Sequence, residues 1–221
     1  MKYVIHACNK RIWYVEDFLI PALQNQGIPE TDILVHMDEN YRGCLFATLD
    51  SFLKCGRKQI SAWHLQDDVA ISLDFARKTR ENDSGIVCGF WHRHTDEPDL
   101  RTETTGADMR YSFPCIRIPW EVCRDFVEWF YGEAAKRDEY RRWITAGKYV
   151  DSFFRDYIRE ERPDDPVLNF IPSIVEHVDW LIGGSTINKW RSGICRADQW
   201  EDESIIEDLR EQLALRKRGA F

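Results

Sequence analysis

The chain has 221 residues, a formal net charge of −8 and a hydrophobic share of 43%. A chain of this length buries about 70% of its unfolded surface in a single core, so it needs no cross-link to fold. The acidic balance argues against a broad nucleic-acid surface, because phosphate contacts require lysine and arginine. We therefore expect no nucleic-acid partner.

Seven cysteines occur without a Cys-x-x-Cys pair. The odd number and this spacing argue against a disulfide framework and against a structural zinc site. No stretch approaches the ~20 apolar residues of a membrane span, and the segment MKYVIHACNKR becomes charged too early for a signal peptide. We expect a cytoplasmic protein with reduced cysteines and no membrane span.

Short apolar runs alternate with helical patterns over about the first 90 residues. The runs predict strands at residues 2–7, 32–37, 61–65 and 85–90. Apolar spacing predicts helices that begin near Ile12 and Gly43 and at residues 73–80, and Gly27 is a stop signal for the first of them. This alternation is typical of a parallel sheet with helices on both faces.

The second half of the sequence is less regular. Residues 91–112 are polar without periodicity, which is typical of a functional loop. The elements predicted next, in chain order, are a strand at residues 113–118, a helix after Pro119, an amphipathic helix around residues 150–158, a strand at 167–171 and a terminal helix at 203–218. We expect one α/β domain in residues 1–189 and a helical extension in residues 190–221.

Polar segments follow three of the predicted strands, at residues 7–11, 38–42 and 66–68. Parallel strands end at one edge of their sheet, and ligands bind there. The third segment places Asp67 beside Asp68, and adjacent carboxylates repel each other unless a cation or hydrogen bonds compensate them. Mg²⁺ or Mn²⁺ prefers such oxygen ligands and neutralises charge on a leaving diphosphate. The alternative is a plain turn and helix cap.

The segment WHLQDDVAISLDFARK, residues 63–78, resembles the acidic metal-binding region of GT-A type glycosyltransferases. In that family a strand runs into a version of the DxD motif. The resemblance implies that Asp68 is the principal metal ligand, that Asp67 is the central residue of the motif, and that Gln66 stands in the first, usually acidic place. It also implies a nucleotide-sugar donor and Mn²⁺ or Mg²⁺ as cofactor.

Two segments further along the chain are similar to the same family. IPSIVEHVDWLIGGSTI, residues 171–187, is similar to a region in which a histidine completes the metal site, and the matching residue is His177. GKYVDSFFRDYI is similar to a helix headed by a catalytic base, which implies this role for Asp151. The competing interpretation of Asp151 is a carboxylate that interacts with the helix dipole.

The nucleotide-binding edge of the family is matched near the N-terminus. The resemblance places Asn9 and Arg11 at the nucleotide, Asp38 near its base or ribose, and Arg42 near its phosphates. Arginine pairs with diphosphate in a bidentate manner, although surface arginines are common. Trp91 is a candidate for stacking on a sugar face or for a place in the core.

We therefore expect an α/β fold of GT-A-like (Rossmann-like) type, with a mostly parallel central sheet flanked by helices. The expected activity is metal-dependent transfer of a sugar from a UDP- or GDP-sugar to a hydroxyl acceptor. One alternative is a nucleotidyltransferase, although HACNKRIW has no glycine-rich loop. A second is a metal-dependent hydrolase that uses Asp67 and Asp68 with His64, His92 and His94. A third is a non-catalytic domain that binds a partner.

Overall fold

A mixed seven-stranded sheet forms the centre of the computed structural model, which describes residues 1–40, 42–90, 103–109, 113–147, 150–183, 200 and 202–217. The strands of the described part are β1 (Lys2–Ala7), β2 (Ile33–Met37), β3 (Ala62–Gln66), β4 (Val69–Ile71), β5 (Ile86–Cys88), β6 (Glu103–Thr105), β7 (Cys115–Ile118), β8 (Pro166–Asn169) and β9 (Val175–His177). The central sheet has the order β2-β1-β3-β7-β5-β8-β6, and β4 and β9 form a separate two-stranded sheet.

The central sheet is mostly parallel. Strand β1 runs parallel to β2 and to β3, and β5 runs parallel to β8. Strand β7 lies antiparallel between β3 and β5, and β6 pairs antiparallel with β8 at the edge. The expected α/β class with a mostly parallel sheet is confirmed.

Helices cover both faces of this sheet. They are α1 (Ile12–Tyr14) and α2 (Ile20–Asn25), joined by a π-helical segment at Val15–Leu19, then α3 (Cys44–Lys58), α4 (Phe75–Glu81), α5 (Trp120–Gly132), α6 (Arg141–Ala146), α7 (Val150–Glu161) and α8 (Glu203–Lys217). One apolar cluster holds Phe52, Phe126 and Phe154 from α3, α5 and α7. The other holds Phe75 and Leu209 from α4 and α8. The sequence predicted this two-sided cover.

The apolar runs of the strands follow from that cover. Successive strand residues point to opposite faces of a sheet, and in β1 Val4 belongs to one apolar cluster whereas Tyr3 and Ile5 belong to the other. A strand that is buried on both faces has no polar position to alternate with. The sequence of β1 is therefore a nearly continuous run of apolar residues, and the same holds for most of β3.

The two-stranded sheet was not predicted. Strand β4 follows Asp68 directly, and Val69, Ala70 and Ile71 pair antiparallel with β9. The helix-cap interpretation of the aspartate pair is wrong, because β4 separates the pair from α4, whose N-cap is Asp74. Three-residue strands are too short to show a period of two in the sequence.

Helix α8 packs against the core of the sheet. Its inward residues Ile206, Leu209 and Leu213 are buried in the same cluster as β1 and β3. The side chain of Arg216 pairs with Asp17 and lies over the ring of Trp13, 4.6 Å from the ring centroid. Among the residues that the structure describes, none of the helices has the length and apolar character needed to cross a bilayer.

Candidate functional site at the carboxyl edge of the sheet

The segments after β1, β2 and β3 meet at the carboxyl edge of the sheet, as the sequence predicted. The backbone N–H of Asp38 donates to the carbonyl of Ala7 at 2.9 Å. The backbone N–H of Cys8 donates to the carboxylate of Asp67 at 2.9 Å. These bonds tie the three loops together, so side chains from three separate parts of the chain face one another.

Arg11 binds both members of the aspartate pair. Its Nη1 donates to Asp67 Oδ1 at 2.9 Å and also to Asp68 Oδ2. The side chains of Arg11, Asp67 and Asp68 are 6%, 9% and 6% exposed, so this is a buried ion cluster. Two adjacent buried carboxylates need a compensating cation. In this structure the guanidinium of Arg11 supplies that positive charge.

His177, more than a hundred positions further along the chain, also belongs to the cluster. Its Nε2 lies 3.1 Å from Asp68 Oδ2, and its Nδ1 lies 3.7 Å from Asp179 Oδ1. The pairing of β4 with β9 explains this contact, because it places Val69 opposite His177. A backbone bond of 2.8 Å from Val178 N–H to the carbonyl of Asp68 fixes the same register.

The charges of this cluster shift the pKa values of its members in opposite directions. Burial alone would raise the pKa of Asp68, but His177 and then Arg11 outweigh it and hold the pKa at about 2. Burial alone would lower the pKa of His177, but Asp68 and Asp179 raise it above its ordinary value. Burial and the neighbouring charge of Asp68 raise the pKa of Asp67. Both shifts favour the charged forms, an anionic Asp68 opposite a cationic His177.

Among the described residues, four buried polar atoms of this cluster have no hydrogen-bond partner. They are Asp68 Oδ1, Asp179 Oδ1 and both ring nitrogens of His177, whose contact with Asp68 is close but not aligned as a hydrogen bond. A Mg²⁺ ion with ligands at about 2.1 Å places neighbouring ligand atoms roughly 3.0 Å apart, close to the observed 3.1 Å. The donor atoms of Asp68 and His177 thus fit two positions of a metal ion.

The described residues do not supply a complete set of metal ligands at this site. Within the described ranges, no group of three or more His, Cys, Asp or Glu side chains is arranged to hold a metal ion. Mg²⁺ in particular is often bound by one or two carboxylates, with substrate phosphates and water completing its shell.

A cavity of about 140 Å³ opens beside the cluster. Its charged and polar wall includes Arg11, Asp38, Gln66, Asp67, Asp68 and His177, all of them predicted site residues. Pockets for whole small-molecule ligands typically measure about 300–1,000 Å³. The cavity is therefore smaller than a pocket that holds a whole small-molecule ligand.

Two predicted nucleotide contacts lie elsewhere. Arg42 is exposed and pairs with Asp50 of α3, and neither Arg42 nor Asn9 is among the described residues that line the cavity. The carboxylate of Asp38 accepts the backbone N–H groups of Arg42 and Gly43 at 3.0 and 2.9 Å. Asp38 therefore shapes the loop before α3 while it also borders the cavity.

Asp151 lies at the second position of α7, next to the cavity-lining Val150. Burial raises the pKa of Asp151, and hydrogen bonds from the backbone N–H groups of Ser152 and of Asp151 itself lower it in part. The net increase is the direction that a carboxylate base requires. Trp91, His92 and His94 lie outside the described residues.

Sequence reasoning missed His6 and Cys123, and it named His64 only as a ligand of the hydrolase alternative. His6 lines the cavity, and its Nε2 lies 2.9 Å from His64 Nδ1. His64 Nε2 lies 3.9 Å from the sulfur of Cys123. The pairing of Val4 with His64 places His6 and His64 on one face of the sheet, because alternate strand residues share a face. Strand alternation combined with parallel pairing is the signal that could have found them.

No protein-family model matches the chain, and a search of curated proteins also found no match. The functional assignment therefore depends on the geometry and chemistry of the site.

Proposed function

We propose that the protein is a metal-dependent glycosyltransferase that moves a sugar from a nucleotide-sugar donor to a hydroxyl acceptor. The observation that supports this most strongly is the 3.1 Å contact between Asp68 and His177 beside a cavity that Arg11 also lines. The resemblance to GT-A glycosyltransferases named the same two residues as metal ligands from segments more than a hundred positions apart. An α/β sheet with its cavity at the carboxyl edge is the architecture that this activity uses.

Each residue of the cluster has a separate role in this proposal. Asp68 and His177 hold Mn²⁺ or Mg²⁺, which neutralises charge that develops on the leaving diphosphate. His177 gives up its ring proton when it becomes a ligand, since metal ligands bind in their deprotonated form. Arg11 pairs with a phosphate oxygen through its planar guanidinium. When the nucleotide is bound, Asp68 has the metal ion as its cationic partner and Asp67 keeps Arg11.

Asp151 is the proposed base on the acceptor side. An inverting transferase needs a carboxylate that accepts a proton from the attacking hydroxyl, and a raised pKa improves the match between this group and its task. Asp151 directly follows Val150, which lines the cavity, at the start of α7.

A second candidate is a non-catalytic domain of the same architecture that binds a partner. The observation that favours it is the ion cluster itself, because Arg11 already compensates Asp67 and Asp68 without a metal. The hydrolase alternative gains no such support. Its predicted ligand His64 contacts His6 and Cys123 instead of the aspartates.

Calorimetric titration with UDP and GDP, each with and without Mn²⁺, separates these candidates. The proposal predicts nucleotide binding that requires Mn²⁺ and that weakens at least about tenfold in Asp68→Asn, the loss expected when one metal ligand is removed. Asp164→Asn, which changes an exposed carboxylate distant from the cluster, is the matched control. Binding that ignores Mn²⁺ and Asp68, or no nucleotide binding, contradicts the proposal.

Release of a nucleoside diphosphate from a panel of nucleotide-sugars then tests the reaction. The transferase predicts release that depends on Mn²⁺ and increases when a hydroxyl acceptor is added. A protein that binds no nucleotide and releases none from any donor fits the partner-binding domain.

A further inference from the structure

Asp179 is a buried carboxylate to which the proposed mechanism gives no role. The residue is only 3% exposed, and it follows two positions after His177, the last residue of β9. A carboxylate that is removed from water costs free energy unless it is paired or hydrogen-bonded. The surroundings of Asp179 therefore indicate what the carboxylate does.

The imidazole ring of His177 lies between two carboxylates. Its Nε2 is 3.1 Å from Asp68 Oδ2, and its Nδ1 is 3.7 Å from Asp179 Oδ1. Asp68 pairs with Arg11 and lines the cavity, whereas Asp179 is not among the described residues that line it. Nε2 therefore faces the candidate metal position, and Nδ1 faces a carboxylate outside the cavity wall.

Neither of the two atoms that face each other on this side has a hydrogen-bond partner within the described ranges. Both His177 Nδ1 and Asp179 Oδ1 are buried. Their separation of 3.7 Å exceeds hydrogen-bond length. An approach of about 0.7 Å brings them to the 3.0 Å that is typical of such a bond. Because buried polar atoms without a partner cost free energy, this approach is favourable.

Backbone contacts hold the two side chains in this arrangement. The backbone N–H of Val178, which lies between them in the sequence, donates to the carbonyl of Asp68 at 2.8 Å. The indole N–H of Trp180 donates to the carbonyl of His177 at 3.2 Å. The backbone N–H of Trp180 also bonds to the carboxylate of Asp179. The segment that carries both side chains is thus bound to the loop that carries the aspartate pair.

The chemistry of a histidine ligand explains why a carboxylate belongs at Nδ1. A neutral imidazole carries one proton, which is on either Nδ1 or Nε2. Nε2 binds a metal only when the proton is on Nδ1, and a hydrogen-bond acceptor beside Nδ1 selects that tautomer. Histidine ligands almost always donate this second N–H to a carboxylate, a backbone carbonyl or water, which also fixes the orientation of the ring.

We propose that Asp179 positions His177 for metal binding by accepting the proton of Nδ1, which holds the ring with Nε2 towards Asp68 and the metal. The inference rests on the proposed function. Asp179 is a positioning residue, because it contacts neither the metal nor the nucleotide and acts only through His177. Loss of such a partner typically lowers metal affinity about 10–100-fold.

The test is the concentration of Mn²⁺ that gives half-maximal binding of UDP or GDP in calorimetric titrations. Asp179→Ala should require about 10–100-fold more Mn²⁺, while its nucleotide affinity at saturating Mn²⁺ should equal that of the unmodified protein. Asp179→Asn keeps an oxygen that accepts the Nδ1 proton, so it should require less than about tenfold more. Asp156→Ala is the matched control and should require no more, because this partly buried carboxylate bonds to Tyr140 and Arg155 instead.

A second measurement uses the unmodified protein and so does not depend on how a variant folds. With Mg²⁺ and the nucleotide bound, nitrogen NMR should show the ring proton of His177 on Nδ1 and none on Nε2. An unchanged Mn²⁺ requirement in Asp179→Ala, an equal loss in Asp179→Asn, or a ring proton on Nε2 overturns this inference and leaves the proposed function standing. Failure of the unmodified protein to bind UDP and GDP with Mn²⁺ overturns both.

Discussion

Val69 lies directly opposite His177 in the pairing of β4 with β9. This register brings the imidazole of His177 within 3.1 Å of the carboxylate of Asp68, the residue before Val69. The contact joins two segments that the chain places far apart. The candidate metal site therefore depends on a small two-stranded sheet at the edge of the main sheet, and not on a local motif alone.

Replacing Arg11 should destabilise the protein. Arg11→Met leaves Asp67 and Asp68 buried without the guanidinium, and breaking a buried ion pair in this way costs about 3–5 kcal/mol in the free energy of unfolding. Mn²⁺ should restore part of the loss, because a ligand that binds only the native state stabilises it. Urea denaturation with and without Mn²⁺ measures both effects.

The control for this variant is Arg77→Met. Arg77 pairs with Glu81 and Asp74 on an exposed helix surface. Surface ion pairs contribute little to stability, so this variant should unfold almost as the unmodified protein does. Equal losses in the two variants, or no effect of Mn²⁺ on Arg11→Met, would show that Arg11 does not occupy a cation position.

The stabilising contribution of His177 should depend on pH. Asp68 and Asp179 raise its pKa above the ordinary 6.5. Its contribution to the free energy of unfolding is therefore complete below pH 6.5. That contribution disappears as the pH rises through the higher pKa that His177 has in the folded protein. The pKa of Asp68 is lowered from 3.8 to about 2, so its contribution exists above pH 3.8 and disappears as the pH falls towards 2.

His177→Gln isolates this dependence. The difference in free energy of unfolding between the unmodified protein and His177→Gln should be largest between pH 3.8 and 6.5 and should shrink at higher pH, in metal-free buffer. Asp67 also has a raised pKa, so its contribution likewise falls as the pH rises, but Asp67 is present in both proteins. A difference that grows with increasing pH would mean that His177 is not protonated in the folded state.

Most of the central elements could be predicted from the sequence. Strand β1 was predicted with its bounds, and the helices near Ile12, Gly43 and Pro119 were predicted within a few residues, because their apolar spacing is long and regular. The convergence of the loops that carry Arg11 and Asp68 followed from the rule that parallel strands end at one edge.

The composition of the site could be predicted only in part. The contact between Asp68 and His177 came from the resemblance, since strands of three residues such as β4 and β9 carry too short a pattern to be detected. The sequence does not reveal that Arg11 binds the carboxylates of Asp67 and Asp68. His6 and Cys123 were missed, and the contacts of His64 with them were not foreseen, because these contacts depend on strand register and on the packing of α5.

Gly43 should resist substitution. Its φ of +87° favours glycine, and a Cβ there would lie 2.8 Å from the carbonyl oxygen of Gly147. Gly43→Ala should lower the free energy of unfolding by about 1–3 kcal/mol and weaken nucleotide binding, because it displaces the start of α3 beside the cavity. Chemical denaturation and calorimetry provide the two readouts.

Gly132 offers the comparison for that variant. A Cβ at Gly132 meets no atom within 4 Å, and the residue ends α5 away from the cavity. Gly132→Ala should leave nucleotide binding unchanged and shift the free energy of unfolding by no more than about 1 kcal/mol. Similar behaviour of the two variants would exclude the close contact with Gly147 as the reason for glycine at position 43.

Asp151 should matter for turnover and not for donor binding. If it accepts the proton of the acceptor hydroxyl, Asp151→Asn should lower the transfer rate by about 10²–10⁴-fold. The affinity for the nucleotide should stay the same, since Asp151 lies outside the cavity wall. Glu161→Gln, on the exposed end of the same helix, should not affect either quantity. Unchanged transfer by Asp151→Asn would remove Asp151 from the mechanism.

The most direct test of the central claim is anomalous diffraction at the manganese absorption edge from crystals grown with Mn²⁺ and UDP. The account predicts one peak at about 2.0–2.3 Å from a carboxylate oxygen of Asp68 and from a ring nitrogen of His177, with diphosphate oxygens in the same shell. It also predicts that Arg11 contacts a phosphate. A peak remote from these two residues, or no peak while Arg11 still bridges Asp67 and Asp68, would contradict the account.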